Sequence, residues 1–272
     1  MEKRIWHIGS LNVQAGLGTH CFRDYVSGCW RHIAPTSCKN RNLFSLGDAV
    51  AHLDFFGVQE IDPGSLRSGF SNQAKWLAEH GKFKHFTHQA NRSTGFSVTA
   101  NALFSKLPFT DVQRYTLPSR KKDTSPRGLL VCSVPLNRFH SPSAVPVHPP
   151  GLTLPSEPDY SEGEASSFLT IAVAHLSLSE ADRVKQAEAI SKYLEQFPHL
   201  VLLGDFNAPP VAPSLGPLKE SMEGHTSGLT YPRWKPTRNI DTIWWRGVDV
   251  KEEAVRQWGV TDHCGVDITF TV

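Results

Sequence analysis

The chain has 272 residues, with 28 basic against 26 acidic side chains and a formal charge of +2. That length suits one large domain with a sizeable core, and the near balance of charge excludes a polyanion as the default partner unless a local patch binds it. Five cysteines without a C-x-x-C pair fit reduced thiols, no apolar stretch reaches the roughly 20 residues of a membrane span, and the amino terminus lacks an export signal. A cytoplasmic protein is the expectation.

In chain order, apolar runs predict strands at 5–13, 55–59, 97–104, 128–136, 168–176, 199–203, 240–245 and 266–272. Helical periodicity appears at 43–53, 71–79 and 180–197, the last with Val184, Ala187, Ile190, Leu194 and Phe197 on one face. Ser179, with Asp182 three residues on, is placed to cap that helix. Many strands, few helices and no midpoint linker predict two packed sheets with helices outside, an α/β sandwich in one domain spanning 1–272. The stretch 138–166, rich in Pro, Ser and Glu, reads as a long mobile loop within that domain.

Polar residues sit where the apolar runs end. "VLLGDFNAPP" at 201–210 stops at Asp205 and Asn207, which share a side of the strand if it continues, with Phe206 facing the other way. "SLNVQAG" ends on Asn12, "GVQEID" on Glu60 and "VAHLSL" on His175. "NIDTIWW" carries Asp241, and "VTDHCGV" supplies Asp262 and His263. One such residue is readily a turn cap or a satisfied buried histidine. Two amides, four acids and two histidines together supply what phosphate-ester hydrolysis requires. Their hard oxygens, with no cysteine among them, suit Mg2+ or Mn2+ rather than zinc or copper.

These residues resemble the endonuclease/exonuclease/phosphatase superfamily, the fold of DNase I and the exonuclease III-type nucleases. The matching motifs run in the superfamily's order: "LNV" at 11–13, "GVQEID" at 57–62, "NALFSKLPF" at 101–109, "RGLLV" at 127–131, "AHLSLSEADRVKQ" at 174–186, "GDFN" at 204–207, "IDTI" at 240–243 and "TDH" at 261–263. The resemblance implies a four-layered α/β sandwich of two mainly antiparallel sheets flanked by helices, with the site at one edge.

Residue by residue, it makes Glu60 the principal metal ligand beside Asn12, and Asp262 a further metal-linked acid. Asp205 aligns or deprotonates the attacking water, Asn207 contacts the scissile phosphate, and His263 binds a phosphoryl oxygen with Asp241 holding its ring. His175 is a phosphate contact or a proton donor. Arg183, Arg127 and Asn101 fall on phosphate-binding patterns, but a solvated or ion-paired arginine and a turn amide fit them equally well. Leu11 stands where the superfamily often has Trp, and the 138–166 insertion is longer than usual there.

The superfamily cleaves DNA, RNA, phosphoinositides and sphingomyelin with one constellation, so the loops must choose the substrate. The segment at 20–42 offers Arg23, Tyr25, Trp30, Arg31, His32, Lys39 and Arg41 to grip a phosphate chain, or a ring-packed loop with its cations in water. With "EIDPGSLRSGFSNQAKWLAEHG" after the metal strand, it resembles a bacterial subgroup of metal-dependent hydrolases. "SRKKDTSPR" at 119–127 is a cationic cluster compatible with nucleic acid or a phosphorylated headgroup. "QEID" in place of the "QETK" of abasic-site nucleases lowers that assignment. The leading expectation is a metal-dependent phosphodiesterase acting as a nuclease. Alternatives are a lipid or small-molecule phosphoesterase, a non-catalytic binding module, and a zinc domain on Cys21, Cys29 and Cys38. A protein partner is not predicted.

Overall fold

The computed structural model describes residues 4–19, 21, 23–24, 35–120, 126–136, 168–259 and 261–272. Along them run β1 (Trp6–Asn12), α1 (Ser37–Val50), β2 (Phe55–Ile61), α2 (Gln73–His80), β3 (His85–Ser93), β4 (Val98–Ser105), β5 (Asp111–Thr116) and β6 (Gly128–Pro135). Then follow β7 (Phe168–His175), α3 (Glu180–Leu194), β8 (Leu200–Asp205), α4 (Gly216–Ser221), β9 (Gly224–His225), β10 (Asp241–Arg246), β11 (Asp249–Arg256) and β12 (Gly265–Thr271). The 138–166 insertion, Cys29, and most of the cationic segments at 20–34 and 121–125 lie outside the described residues.

Among the described residues the strands form two six-stranded sheets, ordered β11-β12-β1-β2-β4-β3 and β5-β6-β7-β8-β10-β9. All pairings are antiparallel except β1 with β2 and β7 with β8. A parallel pair needs a crossover, and α1 and α3 provide the helices for the two.

The alternation of side chains explains the layers. In β8, Val201 and Leu203 meet Ile8 and Leu103 of the opposite sheet, while Leu200 and Leu202 pack on Ala187, Ile190 and Leu194 of α3. In β1, Trp6 and Ile8 face that inner core, and Leu11 turns outward to Leu43 and Leu46 of α1. The result is helix, sheet, sheet, helix, a four-layered α/β sandwich. The sheets approach closely at Gly57, where a Cβ would collide with Leu203 and Val173.

Several expectations change in detail. Strands β3, β5, β9 and β11 lack a strong apolar run, and α1 begins at Ser37 rather than 43 because its first turn is polar. Lys39 in that turn does not lie in water. It is 1% exposed, its Nζ donates to the Arg67 carbonyl at 2.9 Å, and burial with Arg67 nearby pushes its pKa down to about 8. The third helix ends at Leu194, before Phe197, and Ser179 caps its start by accepting from the Asp182 amide. Cys21 and Cys38 are exposed free thiols, and Cys132 and Cys264 are buried.

Candidate active site

The inner-facing rows of the sandwich change from apolar to polar at one end. In β8 the row Val201, Leu203 continues to Asp205, in β7 Ile171, Val173 continues to His175, and in β10 Ile243 is preceded by Asp241. Strand register puts His175 beside Asp205 and Asp205 beside Asp241. The other sheet contributes Asn12 at the end of β1, whose Nδ2 donates to Asp205 Oδ2 at 3.0 Å. The carboxyl ends of both parallel pairs thus meet at this edge, the usual place for ligands in α/β folds.

Backbone departures aim the remaining groups. Strand β8 stops at Asp205, and Asn207 takes φ 54, an uncommon left-handed geometry for a residue with a side chain. Asn207 therefore reaches the pocket through a turn rather than along a strand. Its backbone N–H donates to Asp205 Oδ1 at 3.0 Å, and its Nδ2 lies 2.9 Å from the Leu176 carbonyl and 3.2 Å from His175 Nε2. Phe206 between them packs edge-on to Trp244. Glu60 has φ 60 within a register shift between β2 and β4, a bulge that re-aims a side chain next to a site.

Behind Glu60, Asp62 accepts from the Gly64 and Ser65 amides, the Ser65 and Ser68 hydroxyls and Arg67 Nε. Gln73 clasps that loop to the segment after β1, accepting from the Asp62 amide and donating to the Ala15 carbonyl.

His263 Nδ1 lies 2.9 Å from both Asp241 oxygens, while Nε2 faces Asp262 Oδ1 at 3.8 Å and Asp205 Oδ2 at 3.9 Å. Burial alone would lower its pKa, but the charge and hydrogen bond of Asp241, with Asp205 and Asp262 beyond, hold it well above the ordinary value. The Asp241 carboxylate thus favours the imidazolium form of His263. His175 is the opposite case: burial, reinforced by Arg127 and His263, holds its pKa well below the usual range. Its Nε2 lies 3.2 Å from Asn207 Nδ2 and 3.5 Å from Asp205 Oδ2, while Nδ1 faces Glu60 Oε1 at 3.8 Å. Burial and the neighbouring Asp241 push the Asp205 carboxyl up to about 7.

Asp205, Asp241 and His263 converge closely enough to hold a metal ion. Asn12, Glu60 and Asp262 offer further oxygens at the same edge. A cation bound beside Asp205 would favour its ionised form.

Asn101 and Arg183 are committed elsewhere. Asn101 Nδ2 donates to the carbonyls of Gly128 and Val173 at 3.0 and 3.3 Å, bridging the two sheets. Arg183 donates to the carbonyls of Ser177 and Leu178 and to Ser214. Arg127 lines a cavity with Glu60 and His175. Arg120 of the cationic cluster braces α3 through Asp182 and Ser179.

Gln14, Thr230 and Tyr231 escaped the sequence reading. Gln14 donates its backbone N–H to Asn12 Oδ1 at 3.1 Å and its side chain to Asp262 at 3.4 Å. Thr230 accepts from the Asp241 amide, and the Tyr231 ring packs 4.9 Å from His263. Only position marks them, since each stands within two residues of a polar strand end or in an otherwise unremarked loop.

A profile of the Endonuclease/Exonuclease/phosphatase family matches residues 9–263. Among solved structures, an endonuclease/exonuclease/phosphatase from Beutenbergia cavernae DSM 12333 superposes with TM-score 0.65 at 16% identity, over 99% of this chain and 72% of that one. The Bacteroides thetaiotaomicron VPI-5482 mannosyl-6-phosphatase gives 0.65 at 13% identity, over 98% and 100%. The human Nocturnin catalytic domain with bound sulfate gives 0.65 at 14% identity, over 98% and 93%. No curated protein matches the sequence.

Proposed function

Because the chain belongs to the Endonuclease/Exonuclease/phosphatase family, whose members are phosphoester hydrolases, we propose that it is a divalent-metal-dependent phosphodiesterase that cleaves nucleic-acid strands. The observation that carries this reading is the pairing of opposites in one pocket. Asp205 is a carboxyl with a pKa raised to about 7, and its Oδ2 lies 3.9 Å from the Nε2 of an imidazolium fixed by Asp241. Titratable groups pushed apart in this way divide into a base and a cationic stabiliser.

Magnesium or manganese, held by Glu60 and Asn12 with Asp262 close by, would supply neutralising charge to the phosphoryl oxygens. The chain's own groups do the rest. Asp205, oriented by Asn12 and the Asn207 amide, receives the proton of the attacking water. His263 donates Nε2–H to a non-bridging phosphoryl oxygen, and Asp241 keeps the ring charged and aimed. As the water oxygen bonds to phosphorus the bond to the leaving oxygen breaks, and because burial disfavours a cationic His175 that oxygen takes its proton from solvent. Asn207 holds the His175 ring and exchanges the bond for a phosphoryl oxygen when substrate enters.

Nicking of supercoiled plasmid by purified protein with magnesium, beside a chelator control, tests the nuclease reading. Nicking that the chelator abolishes is expected. Its absence, with hydrolysis of a chromogenic diester retained, would move the substrate to a lipid or small-molecule phosphate ester.

A further inference from the structure

Next to the reacting centre lies a cavity of about 370 Å³ whose walls include Glu60, Arg67, Asn91, Arg92, Thr99 and Arg127. Two backbone irregularities open it. Strands β2 and β3 flank β4, and both lose register against it at the same level, where Ile61 and Ala90 each pair with Ala100. One bulge swings Glu60 toward the reacting centre, and the other makes Asn91 the extra residue of β3.

The lining has a definite chemistry. With Arg67 balanced by Asp62 behind the wall, Arg92 and Arg127 outnumber the one lining carboxylate, Glu60, and favour an anion. Arg67 is fixed in place, with Nε on Asp62 at 3.0 Å and a terminal nitrogen on the Val98 carbonyl at 2.7 Å, so its charge is pre-organised. Asn91 Oδ1 is buried and has no hydrogen-bond partner among the described residues, and a buried acceptor in that condition calls for a donor. Gly128 leaves Asn91 its place, since a Cβ there would collide with Oδ1. The volume is near the lower end of small-ligand sites, which run roughly 300–1,000 Å³. One ring and a phosphate fit within it.

We propose that this cavity is a subsite for a phosphorylated sugar unit adjoining the scissile ester, with Arg92 and Arg127 on its phosphate. The proposal rests on the hydrolytic reading above for where the scissile group lies. Its ligand chemistry has two sources, the neighbouring nucleotide of a strand or a free sugar bisphosphate.

Titration calorimetry with magnesium present separates these outcomes without depending on turnover. Wild-type protein is expected to bind thymidine 3′,5′-bisphosphate about tenfold more tightly than thymidine 5′-phosphate, the gain of one charge-assisted contact. Arg92→Ala should bring that ratio close to one, and Arg92→Lys should retain part of it. An equal gain for fructose 1,6-bisphosphate over fructose 6-phosphate would assign the source as a free sugar phosphate, and a gain confined to the nucleotide would assign a strand. A wild-type ratio near one for both pairs, or a ratio unchanged in Arg92→Ala, would overturn the subsite. Failure of the hydrolytic reading would look different: the binding preference would stand while p-nitrophenol release from p-nitrophenyl thymidine 5′-phosphate was absent.

Discussion

His263 is cationic because Asp241 sits astride its Nδ1, and its donor capacity depends on that acid more than on the surroundings, which are buried and by themselves favour a neutral ring. His263→Ala should therefore lower kcat by at least about two orders of magnitude. Asp241→Asn keeps the shape but removes the charge, and should lower kcat strongly with little change in KM. Steady-state kinetics on a chromogenic diester checks both, and near-wild-type turnover in either would remove His263 from the mechanism. Glu60→Gln should instead raise the magnesium concentration needed for half-maximal rate, so an unchanged magnesium requirement would show that the ion is held elsewhere. These residues were legible in the sequence because each interrupts or ends an apolar run. Gln14 and Tyr231 were not, since their importance comes from contacts that only the folded chain creates.

At the scale of elements, burial decides what a sequence discloses. Central strands such as β7 and β8 are buried on both faces and read as continuous apolar runs. The four that lacked such a run, β3, β5, β9 and β11, are the four sheet edges. "DVKEEAVR" in β11 is mostly exposed and charged, as an edge that must not pair with another chain is expected to be. Gly57 sits at the opposite extreme, in the tight contact between the sheets. Gly57→Ala should cost about 1–3 kcal/mol by overpacking against Leu203, and denaturant unfolding with an unchanged midpoint would show that the sheets can part to admit it.

The loop behind Glu60 gives a second test at this scale. Burial would raise the pKa of Asp62, but hydrogen bonds from Ser65 and Gly64 and the charge of Arg67 outweigh it and leave it lowered. A carboxylate with a depressed folded pKa stabilises the fold above its unfolded pKa, near 4, and that contribution is lost as pH falls through the folded value. Asp62→Asn leaves Arg67 buried without its counter-charge and should cost about 3 kcal/mol at neutral pH. The deficit should shrink on acidification, and a deficit independent of pH would mean that the charge of Asp62 is not what matters.

Across the whole molecule, the two sheets each carry one parallel pair with its helical crossover, and the carboxyl ends of both pairs meet at a single edge. The sequence displays no internal repeat, because the two halves share an arrangement of backbone rather than a pattern of residues. Since the polar edge draws on both sheets and gathers several acids, a divalent cation bound there should stabilise the fold as a unit. Magnesium near 100 times its dissociation constant adds about 2.7 kcal/mol, which for a chain of this size should raise Tm by about 5 °C. Thermal unfolding of wild type and Glu60→Gln checks this, the variant showing little of the rise.

Whether a metal ion and the His263 ring act together on a phosphate ester is tested by hydrolysis of bis(p-nitrophenyl) phosphate by the purified protein with magnesium, repeated with a chelator and with His263→Ala. Steady release of p-nitrophenol is expected, abolished by the chelator and reduced at least about a hundredfold by the substitution. Release that survives both, or none at all from folded protein whose Tm magnesium raises, would contradict that joint action.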